Sequence, residues 1–144
     1  YAENNNYCLV NIIQNANDKL TYIKNEIFDE DIGLLFIKSY SFKDSASSSE
    51  VTEYLMEVNK ILDNYMGLIK KGGFLIIQTK DVRINQYIEP LAKRLYDTLI
   101  DNRLWLKEIV IVSENGEPVK VNEGTADKPL QITHEYLLIY EVNQ

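Results

Sequence analysis

Leu68-Ile69-Lys70-Lys71-Gly72-Gly73-Phe74-Leu75-Ile76-Ile77-Gln78-Thr79-Lys80-Asp81-Val82-Arg83 is the stretch from which the fold is read. Phe74 to Thr79 is an apolar run, too short for a helix, and reads as a buried strand. Gly72-Gly73 supplies a left-handed stop for whatever helix precedes it, and Lys70 and Lys71 suit the negative end of that helix dipole. The helix is plain upstream. Val51, Tyr54, Leu55, Val58, Ile61, Leu62, Tyr65, Met66 and Ile69 recur at three- and four-residue steps, the spacing of one apolar helical face. Ser47 followed by Glu50 fits a capping box that starts it. The Tyr and Met side chains on this stripe read as core. After Thr79, the Lys80–Arg83 segment reads as a turn.

Working outward, the same grammar repeats. Ile32-Gly33-Leu34-Leu35-Phe36-Ile37 is continuously apolar after the acidic Asp29-Glu30-Asp31, the pattern of a strand covered on both faces. Tyr7 to Ile13 reads as an earlier strand, and Leu20, Ile23 and Ile27 place a short helix over Lys19–Phe28. Downstream, Tyr87, Ile88, Leu91, Leu95, Leu99 and Ile100 predict a helix, with Pro90 tolerated only in its first turn. Leu104 to Val112 is a further strand, and Ile132 to Val142 the last. Between them Ser113–Gln131 carries Gly116, Pro118, Gly124 and Pro129 among charges and reads as a long exposed connection. Alternating strands and helices predict a three-layer α/β domain with a mainly parallel sheet. The final two strands, joined without a helix, predict an antiparallel pair at the sheet edge.

The 144 residues suffice for one domain, 1–144, with its own core. No apolar run reaches the ~18–20 residues of a membrane helix. The first residue is Tyr1, not Met, so a fragment of a longer protein or a processed product is expected. Fifteen basic against twenty-two acidic residues leave a formal charge of −7, which argues against gripping nucleic acid except weakly or through a partner. A single cysteine, Cys8, sits in an apolar run as core filler. With the one histidine, His134, it cannot build a Cys/His zinc site, so no metal is expected. This cysteine usage fits a reducing, intracellular setting, cytoplasm or nucleus.

The layout resembles the later half of the class I S-adenosylmethionine-dependent methyltransferase fold, Rossmann-like, in which a parallel sheet finishes with an antiparallel pair. The local motifs resemble one branch, the amino-methyltransferases that modify the exocyclic amine of cytosine (N4) or adenine (N6) in DNA or RNA. The resemblance runs from Asp31 to the C-terminus. Its most specific pieces are Leu68 to Arg83, similar to the family's helix, glycine turn, strand and trailing Asp-Val-Arg, and His134-Glu135-Tyr136-Leu137-Leu138-Ile139-Tyr140, similar to its last strand with a leading His-Glu.

The resemblance also locates where chemistry belongs. Active members carry Asp, Asn or Ser, then Pro-Pro and an aromatic, at the end of the strand equivalent to Gly33–Ile37. There the polar group aims the target amine at the methyl donor and the aromatic stacks on the flipped base. Here those positions read Ile37-Lys38-Ser39-Tyr40, and Tyr40 alone keeps its type; a shifted alignment places Ser39 or Ser41 near the polar slot, but neither is followed by Pro-Pro. No glycine-rich turn opens a helix after an early strand, as a nucleotide site requires, and Asn15, Asn17 and Asp18 read as a turn. Ligands of such sheets collect beyond the carboxyl ends of the strands, so any pocket rim is expected at Tyr40, Asp81 and Arg83. The plainer reading has Asp81 and Arg83 pairing or capping the next helix, Lys38 solvated, His134 and Glu135 orienting the long loop, and Trp105 in the core or at a sheet edge. The resulting expectation is a degenerate methyltransferase-like domain that binds or scaffolds a partner, either a methyltransferase-type subunit or itself, with no cofactor in this chain. One alternative is the C-terminal part of an active enzyme whose S-adenosylmethionine motif lies upstream or in another chain. The other is an unrelated small α/β binding module.

Overall fold

The computed structural model describes residues 32–38, 42, 45–99, 103–113 and 132–143. The strand and helix expected over 7–13 and 19–28, Cys8, and the connection 114–131 lie outside the described residues. Within them the chain runs β1 (Ile32–Lys38), α1 (Ser48–Tyr65), β2 (Ile69–Thr79), β3 (Val82–Ile84), β4 (Tyr87–Glu89), α2 (Leu91–Thr98), β5 (Leu104–Ser113) and β6 (His134–Val142). The main sheet has the order β1-β2-β6-β5, and β3 with β4 forms a separate hairpin.

The sheet corrects the expectation of mainly parallel pairing. β1 and β2 are parallel, from Leu34↔Phe74 to Lys38↔Gln78, but β2–β6 and β6–β5 are antiparallel. The cause is where the last strand inserts. β1, β2 and β5 share a direction and β6 opposes it; because β6 lies between β2 and β5, two of the three pairings become antiparallel. The antiparallel pair itself is present, with β5 as the edge.

Both helices cover one face. Val51, Tyr54, Val58, Ile61 and Leu62 of α1 and Leu91 and Leu95 of α2 are buried against Leu35, Ile37, Leu75, Ile77, Leu138, Tyr140 and Val142 in one continuous core. Leu75 and Ile77 have no exposed surface at all, and each such side chain contributes about 1.5–3 kcal/mol by leaving water. The described residues thus form two layers. The capping box is as expected: the Glu50 amide donates to Ser47 Oγ and the Ser47 amide to Glu50 Oε2 at 2.7 Å.

Two boundaries differ from the sequence reading. α1 ends at Tyr65, followed by a 3₁₀ turn at Met66–Leu68, and Lys70 and Lys71 belong to β2 instead of a helix end. Gly72, at φ 74°, serves a bulge in β2, where the register jumps between Ile32↔Ile69 and Leu34↔Phe74. The helix expected from Tyr87 begins only at Leu91. Pro90 is its N-cap and biases Glu89 towards extended backbone, while Asn85 and Gln86, at φ 48° and 72°, close a two-residue hairpin turn. Tyr87 and Ile88 are therefore exposed, not core, and Val82–Ile84 is a strand where a turn was expected.

Candidate functional site

The carboxyl ends of β1 and β2 lie side by side, as expected, with Lys38 opposite Gln78. Successive residues of a strand face opposite sides, and this alternation decides what each candidate can do. Ile37 points to the helix-covered face, is 3% exposed, and packs in the core. Lys38 is exposed. Ser39 and Tyr40 lie outside the described residues. In the unshifted alignment the side chain at the first position, Ile37, is a buried hydrocarbon without an acceptor; Ser39 and Ser41, the candidates of the shifted alignment, lie outside the described residues.

Asp81 takes the helix-capping role of the plainer reading, whereas Arg83 binds across the hairpin turn. Asp81 Oδ1 accepts from the Ala92 amide at 3.3 Å, capping α2. The Arg83 guanidinium donates to the Gln86 carbonyl at 2.9 Å across the hairpin turn, while the Arg83 carbonyl accepts from the Ala46 amide just before α1. The hairpin is thereby tied to the start of α1.

A polar chain that the sequence reading missed joins the start of β6 to this cap. Tyr136 donates its hydroxyl to Asp81 Oδ2 at 3.4 Å and meets His134 Nε2 at 2.8 Å, with the two rings edge to face at 5.1 Å. A phenol has one proton. If it goes to the carboxylate, which only accepts, the phenol oxygen must receive a hydrogen bond from Nε2–H. Burial first, then the Asp81 charge and hydrogen bond, push the Tyr136 phenol above its ordinary value, so Tyr136 stays protonated as the link. On the other face Gln78 donates to Glu135. The sequence reading paired His134 with its neighbour Glu135; the period of two in a strand shows why His134 works instead with Tyr136, two residues on.

Beneath this chain Thr79 is fully buried opposite Tyr136, and its hydroxyl has no partner among the described residues. Deeper on the same face, burial and the nearby Tyr96 push the Tyr140 phenol up to about 12, so it stays protonated near neutrality. Trp105 sits on the edge strand β5, 55% exposed. A cleft of about 320 Å³ between α1, α2 and the start of β5, with Asn59, Asp63 and Arg103 on its wall, lies at the opposite end of the sheet from His134 and Tyr136. Among the described residues no cluster of His, Cys, Asp or Glu is placed to hold a metal ion, and no helix is long and apolar enough to cross a membrane.

No protein-family profile matches the chain, and no curated protein does. Solved structures do. A crystal structure of a candidate DNA modification methylase from Thermus thermophilus superposes with a TM-score of 0.57 at 15% identity, over 79% of this chain and 47% of that one. The same protein complexed with S-adenosyl-L-methionine gives 0.59 at 14% identity, over 79% and 46%. The fold is methyltransferase-like. At this identity the likeness concerns the fold alone, and this chain spans less than half the length of the proteins it matches.

A nucleotide cofactor needs backbone close to its phosphate or ribose, which glycine permits. The described glycines do not provide such a cradle. A Cβ on Gly73 would meet Ile69 and the Lys70 and Gly33 carbonyls at 2.8–3.0 Å, so its lack of a side chain serves strand packing. Gly72 forms the β2 bulge, and Gly33 faces the Lys70 side chain within β1. Gly33, Gly72 and Gly73 thus offer S-adenosylmethionine no such close approach.

Proposed function

We propose that this chain is a methyltransferase-like domain that has lost methyl transfer and serves as a non-catalytic binding or scaffolding subunit, partnered by a methyltransferase-type chain or by a second copy of itself. The observation that carries the reading is Ile37. On a fold similar to a DNA modification methylase, the strand end that in amino-methyltransferases presents a hydrogen-bond acceptor presents a core aliphatic side chain instead. The polar groups next to it are engaged in architecture: Asp81 caps α2 and Arg83 closes the hairpin. Nucleic acid is reached weakly or through the partner, given the charge of −7.

Isothermal titration of the chain with S-adenosylmethionine tests this. The expected result is no heat of binding up to millimolar ligand. Micromolar affinity would overturn the proposal in favour of a second reading, that the chain is part of an active DNA or RNA amino-methyltransferase. That second reading is favoured by one fact, the match to less than half of a protein solved with S-adenosyl-L-methionine bound.

A further inference from the structure

α2 starts without the means to hold its own first turn. A helix leaves its first amides unpaired, and an N-cap side chain ordinarily accepts from them. Here the N-cap is Pro90, whose side chain has no acceptor, and the first turn carries no acidic residue. The acceptor comes from elsewhere. Asp81, which stands before the β3–β4 hairpin, takes the Ala92 amide at 3.3 Å and puts a carboxylate where the helix dipole favours one. That bond joins residues eleven apart and closes the base of the hairpin. The hairpin turns through Asn85 and Gln86 at positive φ and leaves Tyr87 and Ile88 exposed. A second tie holds it near α1, where the Ala46 amide donates to the Arg83 carbonyl at 2.9 Å.

Asp81 is itself held. Its other oxygen accepts from the Tyr136 hydroxyl, and the Tyr136 oxygen accepts from His134 Nε2. His134 is the first residue of β6, and Tyr136 lies opposite Thr79, the last residue of β2. The series therefore runs from the start of one strand, past the end of another, to the head of a helix. Two of its bonds, at 3.3 and 3.4 Å, are longer than the usual range, so the series opens easily at Asp81. Leu91 and Leu95 are sealed in the core and seat the body of α2 whether or not the series is made. What it can release is the first turn of α2 and the hairpin before it.

We propose that His134, Tyr136 and Asp81 form a latch, by which the start of β6 sets whether the β3–β4 hairpin is clamped to the head of α2 or freed from it. Latched, Asp81 bridges Tyr136 and Ala92. Unlatched, Ala92 loses its acceptor and the hairpin keeps only its tie at Ala46. Tyr136 and Asp81 are positioning residues of this device. His134 is its input, because its hydrogen bond goes to Tyr136 and reaches α2 only through the two of them. The latch goes beyond the scaffolding reading and does not depend on it.

Amide exchange in the 144-residue chain, read at Ala92 against Leu75 and Ile77, tests it. His134→Leu and Tyr136→Phe each remove one hydrogen-bonding group from the series. Each is expected to speed exchange at Ala92 about 2- to 10-fold, the contribution of one hydrogen bond, with Leu75 and Ile77 unmoved. His134→Gln keeps an N–H donor and is expected to restore the parent rate. Asp81→Ala is expected to speed Ala92 at least as much as Tyr136→Phe does, and the two together no more than Asp81→Ala alone, because groups acting in series are not additive. An Ala92 rate untouched by His134→Leu overturns the proposal, as does His134→Gln behaving like His134→Leu. Multiplying effects of Asp81→Ala and Tyr136→Phe would overturn it too, and so would an equal rise at Leu75, which reports opening of the whole domain.

Discussion

The two faces of one sheet are made from the same strands and nearly the same residue types, yet they do different things. Along β2, Leu75 and Ile77 are sealed beneath α1 and α2, while their neighbours Phe74 and Ile76 face the other way and keep part of their surface in water. Hydrophobicity alone does not separate them. The separation comes from which elements the connections lay down: α1, linking the parallel β1 and β2, and α2, following the hairpin, both settle on the same side. An apolar side chain is core only if something else is placed over it.

Truncating adjacent residues on the two faces gives the largest contrast. Leu75→Ala removes a fully buried side chain from the middle of the covered face and is expected to cost about 2–5 kcal/mol. Phe74→Ala, next to it on the face that no described element covers, is expected to cost about 1 kcal/mol or less. Urea unfolding at low protein concentration measures both. Equal losses would break the comparison, because Phe74 would then be packed as tightly within one chain as Leu75 is.

Legibility in the sequence follows the same division. The α1 stripe, its Ser47–Glu50 start, the strands around Leu35, Ile77 and Ile109, and the antiparallel final pair were readable because period and capping are local properties. The continuous apolar run Ile32–Ile37 shows that both faces of the strand are apolar; the described residues cover one of them. The helix end was misplaced because Gly72-Gly73 suits a helix stop and a strand bulge equally well; the decision fell to Ile69, whose burial at 1% exposure draws the chain into the sheet. The hairpin at Val82–Glu89 stayed hidden because its turn uses Asn85 and Gln86 with positive φ, without the glycine that usually signals it. Of the candidate site, Ile37 and Asp81 lie near the carboxyl ends of β1 and β2, Arg83 lies within β3, and Tyr40 is outside the described residues. Tyr136 was overlooked because its importance comes from Asp81, fifty-five residues away in sequence.

A smaller effect sharpens the comparison from the covered side. Ser47→Ala removes the acceptor of the Glu50 amide at the start of α1 and is expected to cost about 1 kcal/mol. The helix it starts supplies the cover of Leu35 and Ile77, so the loss should appear in the global unfolding midpoint and not as local fraying alone. Amide exchange in β2 tests the link: faster exchange at Leu75 and Ile77 in the variant is expected, and unchanged exchange there would show that α1 and the sheet open independently.

The smallest effect concerns the acid side of the same cap. The Ser47 amide, and secondarily its hydroxyl, hold the Glu50 carboxyl below its ordinary 4.5. A folded-state value below the unfolded one means that the native state favours the carboxylate. The stabilisation is therefore fully present above the unfolded value of 4.5 and is lost as pH falls through the lower folded value. Glu50→Gln keeps an acceptor for the amide but has no proton to take up, so the variant should lose less stability than the parent between about pH 5 and pH 3. Unfolding midpoints across that window are expected to converge as acid is added. The carboxyl is fully solvated, so the convergence should be slight and should shrink further in salt. Parallel pH profiles for parent and variant would show that the box holds α1 through geometry alone, and that the cover over Leu75 does not depend on the charge at its edge.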